Sequence, residues 1–306
     1  MAAPTNTFTS ASAVGNREDL ADFIDRITPS DTPLYSMIAK NKATGITHEW
    51  QVDALRAAGS NAQAEGDDST ATAVTPTVRL KNTTQILKEV ASVSGTQEAV
   101  DKAGRKSEMN YQLAKKSAEL KLDIEYAFTQ NNVTAASPRK LRGLVGWMGD
   151  NVNGGAGYVA PNYTTNVAQT DGTQRAFTET MLKDVAQKVY AAGGRPTVLM
   201  MGTTQKQTFS TFTGNSTRFK DADDQLAASI DVYKSDFGTY KAMINLQQRA
   251  RDIFLLQPDK LAASVLRPWE VSDLAKTGDS ERKQIIIELT LENKNPKAHG
   301  LIADIS

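Results

Sequence analysis

An α+β fold is predicted for this chain, and three features of the sequence predict it. Residues 46–54 and 77–93 read as strands on either side of a polar stretch. A long helical pattern with one apolar face follows over about residues 102–130. The remainder mixes short helices with apolar strands and closes on a β-rich run, Lys283–Leu291, then Ala298–Ile305. Nothing repeats internally.

The elements follow from local chemistry. Residues 1–14 are small and polar and read as a tail. Asn16 or Asp19 can cap a short helix with Leu20, Phe23, Ile24 and Ile27 on one face, and Pro29 stops it. Thr32-Pro33 favours an extended stretch, after which Leu34, Met37 and Ile38 are apolar anchors. In 46–54, Ile46, His48, Trp50, Val52 and Ala54 face one way and Thr47, Glu49, Gln51 and Asp53 the other. Residues 56–75 cannot form a core and carry Glu65, Asp67 and Asp68 near their middle. The two strands and this tip make an extended hairpin whose arms, at about 3.3 Å per residue, reach roughly 30–50 Å. A lone two-stranded hairpin is marginal in water, so the Trp50 face needs a covering surface, for which a neighbouring subunit is a candidate.

The long helix places Met109, Leu113, Leu120, Ile124 and Phe128 on one side, as expected for a helix lying on a sheet, and about 27 residues would span roughly 40 Å. Residues 131–176 are Gly/Asn/Thr-rich and irregular. A second helix starts at Thr178, with Phe177 and Leu182 at the two staple positions, and ends at Gly193-Gly194. The strand Val198–Met201, a helix at about Thr204–Phe212, and strands at Ile230–Tyr233, Tyr240–Leu246 and Ile253–Leu256 complete this lobe.

Composition excludes several chemistries. Basic and acidic residues number 35 each, so the net charge is zero. A dedicated nucleic-acid binder carries a basic excess, so contact with DNA should be weak and local. Neutrality is compatible with self-association. With no cysteine, disulfides, thiolate metal sites and cysteine nucleophiles are excluded. No apolar run approaches the roughly 18 residues of a membrane span. The N-terminus has neither a basic nor an apolar signal region, which makes a cytoplasm the expected compartment.

Motif tests return little. His48-Glu49 begins like a zincin motif, but position 52 is Val and the segment alternates like a strand. Gly155-Ala156-Gly157 fits a loose dinucleotide pattern but lacks the strand before and the helix after, and reads as a flexible loop. Asp221, Asp223 and Asp224 suit either a divalent ion or a solvated loop. Arg139, Lys140 and Arg142 form a compact basic turn, suited to phosphate, to the acidic tip at Glu65, Asp67 and Asp68 of another copy, or simply to water.

Seven short words in order carry a resemblance: Gly15-Asn16-Arg17-Glu18-Asp19-Leu20, Thr32-Pro33-Leu34, His48-Glu49-Trp50-Gln51, Val93-Ser94-Gly95-Thr96, Asp123-Ile124-Glu125, Ser235-Asp236-Phe237-Gly238 and Leu266-Arg267-Pro268. Across most of its length the chain resembles a family of tailed-bacteriophage major capsid proteins with the Hong Kong 97-type fold. The resemblance implies an N-terminal arm at 1–45, an extended loop at 46–96 and a peripheral domain with its spine helix at 97–176. An axial domain at 177–270 and a return to the peripheral domain at 271–306 complete it.

By that resemblance the chain is a structural protein, not an enzyme, with no catalytic, cofactor or metal residues. It forms pentamers and hexamers of an icosahedral head, assembled in the bacterial cytoplasm and found in the virion. Implied partners are other copies of itself, a portal protein, a separate scaffolding protein and, weakly, packaged double-stranded DNA. There is room for a cement or decoration protein, and no membrane is involved. Contact candidates are Leu34, Met37 and Ile38 of the arm and Trp50 and Val52 of the hairpin face. Glu65, Asp67 and Asp68 of the tip and Arg139, Lys140 and Arg142 of the basic turn join them. Loss of the Trp50 face is expected to harm assembly more than folding of the subunit. The alternatives are an encapsulin-like compartment and a soluble α/β enzyme or binding domain.

Overall fold

The computed structural model describes residues 28–29, 31–68, 71, 73–102, 104–212 and 232–306. The amphipathic segment at 16–27 and the aspartates at 221, 223 and 224 lie outside these residues.

The chain begins with helix α1 (Pro33–Met37), strand β1 (Ala39–Lys42) and the hairpin strands β2 (Thr47–Val52) and β3 (Val78–Thr83). Strand β4 (Gln85–Ser94), the short helix α2 (Gly95–Ala99) and the long helix α3 (Glu108–Thr129) follow. Short strands β5 (Ala135–Ala136), β6 (Arg139–Lys140) and β7 (Val152–Asn153) punctuate the irregular stretch. Then come α4 (Glu179–Ala191), β8 (Val198–Met201), α5 (Thr203–Ser210), β9 (Val232–Ser235), β10 (Gly238–Ile244) and β11 (Ile253–Leu256). Strands β12 (Leu261–Asp273), β13 (Ser280–Asn293) and β14 (Gly300–Ile302) finish the chain.

Two sheets organise these elements. The first runs β1-β12-β13-β4, parallel between β1 and β12 and antiparallel elsewhere. Helix α3 lies across β4 and β13. Its buried Met109, Leu120, Ile124 and Phe128 form the apolar face that the sequence shows. The helix is shorter than the periodicity suggests, because Ser107 caps it: its Oγ accepts the Asn110 N–H at 3.3 Å. Its 22 residues span about 33 Å.

The second sheet runs β7-β14-β11-β8-β10-β9. Strand β8 is buried at every position, because its two faces enter two different cores. Val198 and Met200 join Phe254, Leu256, Leu301 and the α3 side chains. Leu199 and Met201 join Leu182, Val185 and Val189 of α4 with Ile253, Leu255 and Ile302. Gly193, at φ +88°, ends α4 in the left-handed conformation that glycine adopts without strain.

Five strands are absent from the sequence reading: the two-residue β5, β6 and β7 of the stretch read as irregular, and the longer β1 and β12. β1 is an alanine followed by three polar residues, and β12 carries Pro268 within its outer half. The β12–β13 ladder shifts register between Val265 and Arg267 and again between Arg267 and Glu270, so the proline sits in a bulged stretch. Residues 261–270, grouped by sequence with the 177–270 lobe, therefore belong to the first sheet. β14, within 271–306, belongs to the second. Thr32-Pro33 opens a helix rather than an extended run, with the proline at the first helical turn, where no N–H is required.

A buried carboxylate joins the arm to both lobes. Glu125 of α3 accepts the Leu34 and Tyr35 N–H groups, each at 2.8 Å, and the Asn245 Nδ2 at 2.6 Å. It caps α1 from a different helix. Burial pushes the Glu125 carboxyl up, and these hydrogen bonds and nearby Lys40 oppose the rise.

The loop around Gly155, expected to be flexible, is pinned. Asp304, in the left-handed conformation at φ 61°, accepts the Gly155 and Gly172 N–H groups at 3.0 and 2.9 Å. Arg251 bonds to Asp304 at 2.6 Å, and Arg249 pairs with Asp171 at 2.6 Å and with Asp252 at 3.0 Å. Three carboxylates thus share two guanidinium groups. Burial pushes Asp252 up to about 7, Asp171 and Asp304 add to the rise, and Arg249 and Arg251 oppose it.

Two predictions follow from these buried carboxylates. Glu125→Ala strands three donors and should lower the unfolding free energy by on the order of 3 kcal/mol in a urea titration, with Glu125→Gln costing less. Parent-like stability of Glu125→Ala would remove the capping role. Asp252 weakens the fold progressively as pH rises from its ordinary value of 3.8 to about 7, and no further above that. Asp252→Asn should therefore show its largest gain in unfolding free energy over the parent at pH 8, at most about 4 kcal/mol, narrowing toward pH 4 as read by urea titration. A gap independent of pH would contradict this.

Candidate assembly surface

The hairpin has a committed face and a free one. β2 and β3 pair antiparallel, with Trp50 opposite Leu80 and Glu49 opposite Lys81. His48, Trp50 and Val52 are half-buried, while Thr47, Glu49 and Gln51 are exposed. The inner face is covered by the chain's own core. The Trp50 ring packs on Trp147 at 5.4 Å between centroids, and Trp147 packs on Tyr163 at 5.6 Å. The Trp50 Nε1–H donates to the Asn293 carbonyl at 2.8 Å.

Polar bonds to β13 lock the root of the hairpin. Glu292 receives Asn41 Nδ2 at 2.9 Å and Ser264 Oγ at 2.7 Å, and its Oε2 lies 3.2 Å from His48 Nε2. Burial raises the Glu292 pKa, but these three hydrogen bonds outweigh it and hold the carboxyl below its ordinary value. Asn82 donates to the Leu291 carbonyl at 2.7 Å and accepts the Arg142 N–H at 2.8 Å. Thr84 donates to Glu288 at 2.8 Å, and Arg139 pairs with the same carboxylate at 2.7 Å.

This geometry corrects several expectations. Leu34 and Ile38 are buried within the subunit, and Met37 packs against the same core. Trp50 and Val52, half-buried, also pack on that core, so the subunit itself supplies a partner for the hairpin face. The basic turn is not a solvated patch. Arg142 is 2% exposed, its guanidinium donating to the Gly146 and Tyr163 carbonyls and to Asn166 Oδ1. Burial lowers it to about 10, so it remains charged at neutral pH. Arg139 is turned onto Glu288, and only Lys140 of the three points to solvent. His48 faces Glu292, whereas the buried His299 accepts the Gln257 N–H at Nδ1.

Beyond the root, Asp53–Asp68, Ala71 and Ala73–Thr77 are exposed and form no regular element. Leu55 is 98% and Val74 90% exposed. Glu65, Asp67 and Asp68 lie at the tip, where the Asp67 N–H bonds to the Ala64 carbonyl across a turn made by Gly66 at φ +83°. Asn82, Trp147, Glu288 and Glu292, which position the root, were missed by the sequence reading. A buried Asn or Glu within a strand is the one signal available for three of them.

A projecting polar hairpin, a helix-backed sheet and a second lobe define a shell-forming subunit of the Hong Kong 97 type. Solved structures share this fold. The cyanophage A-1(L) capsid asymmetric unit aligns with a TM-score of 0.65 at 14% identity, over 97% of this chain and 98% of that one. Microbacterium phage Oxtober96 aligns at 0.63 and 11%, over 97% and 99%. The native GTA particle capsid aligns at 0.62 and 12%, over 97% and 98%. The profile of the SU10 major capsid protein family matches residues 3–306, and the chain belongs to that family. A curated relative, the major capsid protein of Escherichia phage Phieco32, is 28% identical over 99% of this chain and 97% of its own length. The chain is thus a tailed-phage major capsid protein, a structural component of the virion shell. The encapsulin and soluble-enzyme alternatives are not favoured.

Because Trp50 packs inside its own subunit, Trp50→Ala should destabilise the unassembled subunit by on the order of 3 kcal/mol, read by urea unfolding. An unchanged subunit with failed assembly would restore the view that a neighbour covers this face.

Proposed function

We infer that the subunits close into pentamers and hexamers of an icosahedral head, each hairpin lying over a neighbour. The observation that carries this reading is the exposed loop Asp53–Thr77. Its described residues include two nearly bare aliphatic side chains on a root locked by β13. A fixed root aims the loop away from its own core, so the binding partner for Leu55 and Val74 lies outside the subunit. Modest contacts repeated around a ring and tethered through each chain add to a stable shell.

In this reading the first sheet with α3 is the peripheral domain and the second sheet with α4 and α5 the axial domain. The N-terminal arm runs beneath another subunit. A portal protein and a separate scaffolding protein direct assembly in the bacterial cytoplasm. Packaged double-stranded DNA meets a neutral subunit and is held weakly, in keeping with 35 charges of each sign. A decoration protein on the outer surface is compatible with this arrangement.

Replacing residues 56–75 by an Asn-Gly turn should leave the subunit's thermal unfolding within a few degrees of the parent, on the scale of about 1 kcal/mol. It should abolish closed shells in electron micrographs. Parent-level shells from this variant would overturn the hairpin-over-neighbour reading.

A further inference from the structure

A groove of about 490 Å³ opens at the root of the hairpin, on its free face. Ile46, Thr47, Lys81 and Thr83 form one wall, and Ala135, Ala136 and Arg139 of the β5–β6 turn form much of the other. Ile46 is 57% exposed. The lining contains two cations and no carboxylate. Glu49, opposite Lys81, is drawn away to Arg79 at 3.2 Å. Arg139 is engaged with Glu288, so Lys81 is the lining cation that faces solvent; Lys140, which follows Arg139 on β6 and is not part of the lining, is also exposed.

The hairpin tip has the opposite character. Between Asp53 and Thr77 the charged residues are Asp53, Arg56, Glu65, Asp67 and Asp68, three negative charges in excess. The turn carries Glu65 and Gly66 at its apex, and Asp67 and Asp68 follow directly. Twelve residues lie between Val52 and Glu65, up to about 45 Å of extended chain. The tip therefore leaves the root behind, and the groove it meets belongs to another copy.

We propose that the acidic turn at Glu65–Asp68 of one subunit seats in the Lys81 groove, with Lys140 beside it on β6, at the hairpin root of a second copy of this chain. This rests on the hairpin-over-neighbour reading and names the receptor for the loop. Each locked root then serves two purposes: it aims its own tip and receives another. In a closed ring every tip and every groove is used once, as a heterologous interface requires. Opposite charges at both ends set register and speed of encounter more than affinity, and salt weakens them.

The chain has no cysteine, which permits a clean proximity test in assembled shells. Asp67→Cys with Ala136→Cys, treated with a mild oxidant or a short bismaleimide, should give covalent dimers up to closed rings on a denaturing gel. Either single variant should stay monomeric. Shells of the double variant that yield no ladder overturn the proposal. The charge test is independent. Lys81→Glu with Lys140→Glu, or Glu65→Lys with Asp67→Lys and Asp68→Lys, should each reduce shell yield about tenfold, and the combined variant should restore it. All five positions are exposed, and thermal unfolding of the subunits verifies folding. A combined variant no better than its parts overturns the pairing. If deleting 56–75 abolishes shells while these tests fail, the hairpin reading stands and the groove assignment alone falls.

Discussion

The structure depends on one buried carboxylate. Glu125 sits near the end of α3 and binds the first turn of α1 and the side chain of Asn245 at once. Those groups lie 91 and 120 residues away in sequence. The neighbouring Thr129 and Gln130 both donate to the Gln247 carbonyl, at 3.1 and 3.0 Å, and reinforce the same junction. Isolated, a five-residue helix such as α1 would not persist in water. Capped by Glu125 and anchored by Leu34 in the core, it holds the arm at a fixed place on the long helix. An apolar side chain at 125 would fill the space but leave the amide groups unpaired, which is why burying a carboxylate is favoured here despite its desolvation.

Polar residues repeat this solution wherever the two lobes and the hairpin meet. Glu292 gathers β1, β2 and β12 onto β13, and Glu288 gathers Thr84 and Arg139. Asp304 gathers two glycine amides and Arg251. Each carboxylate is buried and each satisfies donors from segments distant in sequence. Without disulfides, such junctions are what give the loops a single arrangement. Aliphatic packing is non-directional, whereas a carboxylate with three donors accepts only one geometry.

Much of the fold was legible. The alternation, the one-sided helix expected to end near residue 130 and the staple around Thr178 depend on local periodicity; the structure shows the alternation over Thr47–Val52, with Ile46 exposed rather than on the covered face, a helix ending at Thr129, and Phe177 and Leu182 in one core. Sequence could not show that the Trp50 face is already covered, because its partner Trp147 lies in an irregular Gly-rich stretch 97 residues on. Arg142 looked like surface charge for the same reason. Its acceptors are two backbone carbonyls and Asn166, none of which a pattern of charges reveals. Strand β12 escaped notice because Pro268 breaks the expected ladder, and only the bulge shows how a proline is accommodated. At the candidate surface the acidic tip was visible in the sequence, while the groove proposed to receive it is lined by residues of two separate hairpins, β2–β3 and β5–β6, that only the tertiary fold brings together.

A shell subunit must fold alone yet bind its copies reversibly enough to correct errors. The division between root and tip meets both demands. Had the hairpin's aromatic face been left open, the subunit would expose Trp50, Val52 and Leu80 together, a patch that invites irregular association. Instead the aromatic residues are consumed within the subunit, and the loop offers isolated aliphatic side chains among polar and acidic ones. A contact of that kind is individually weak and sensitive to salt, so a misplaced subunit can leave. In the proposed ring each chain would be held at both its tip and its root and would have to be released from both together, so that closure supplies what no single contact does.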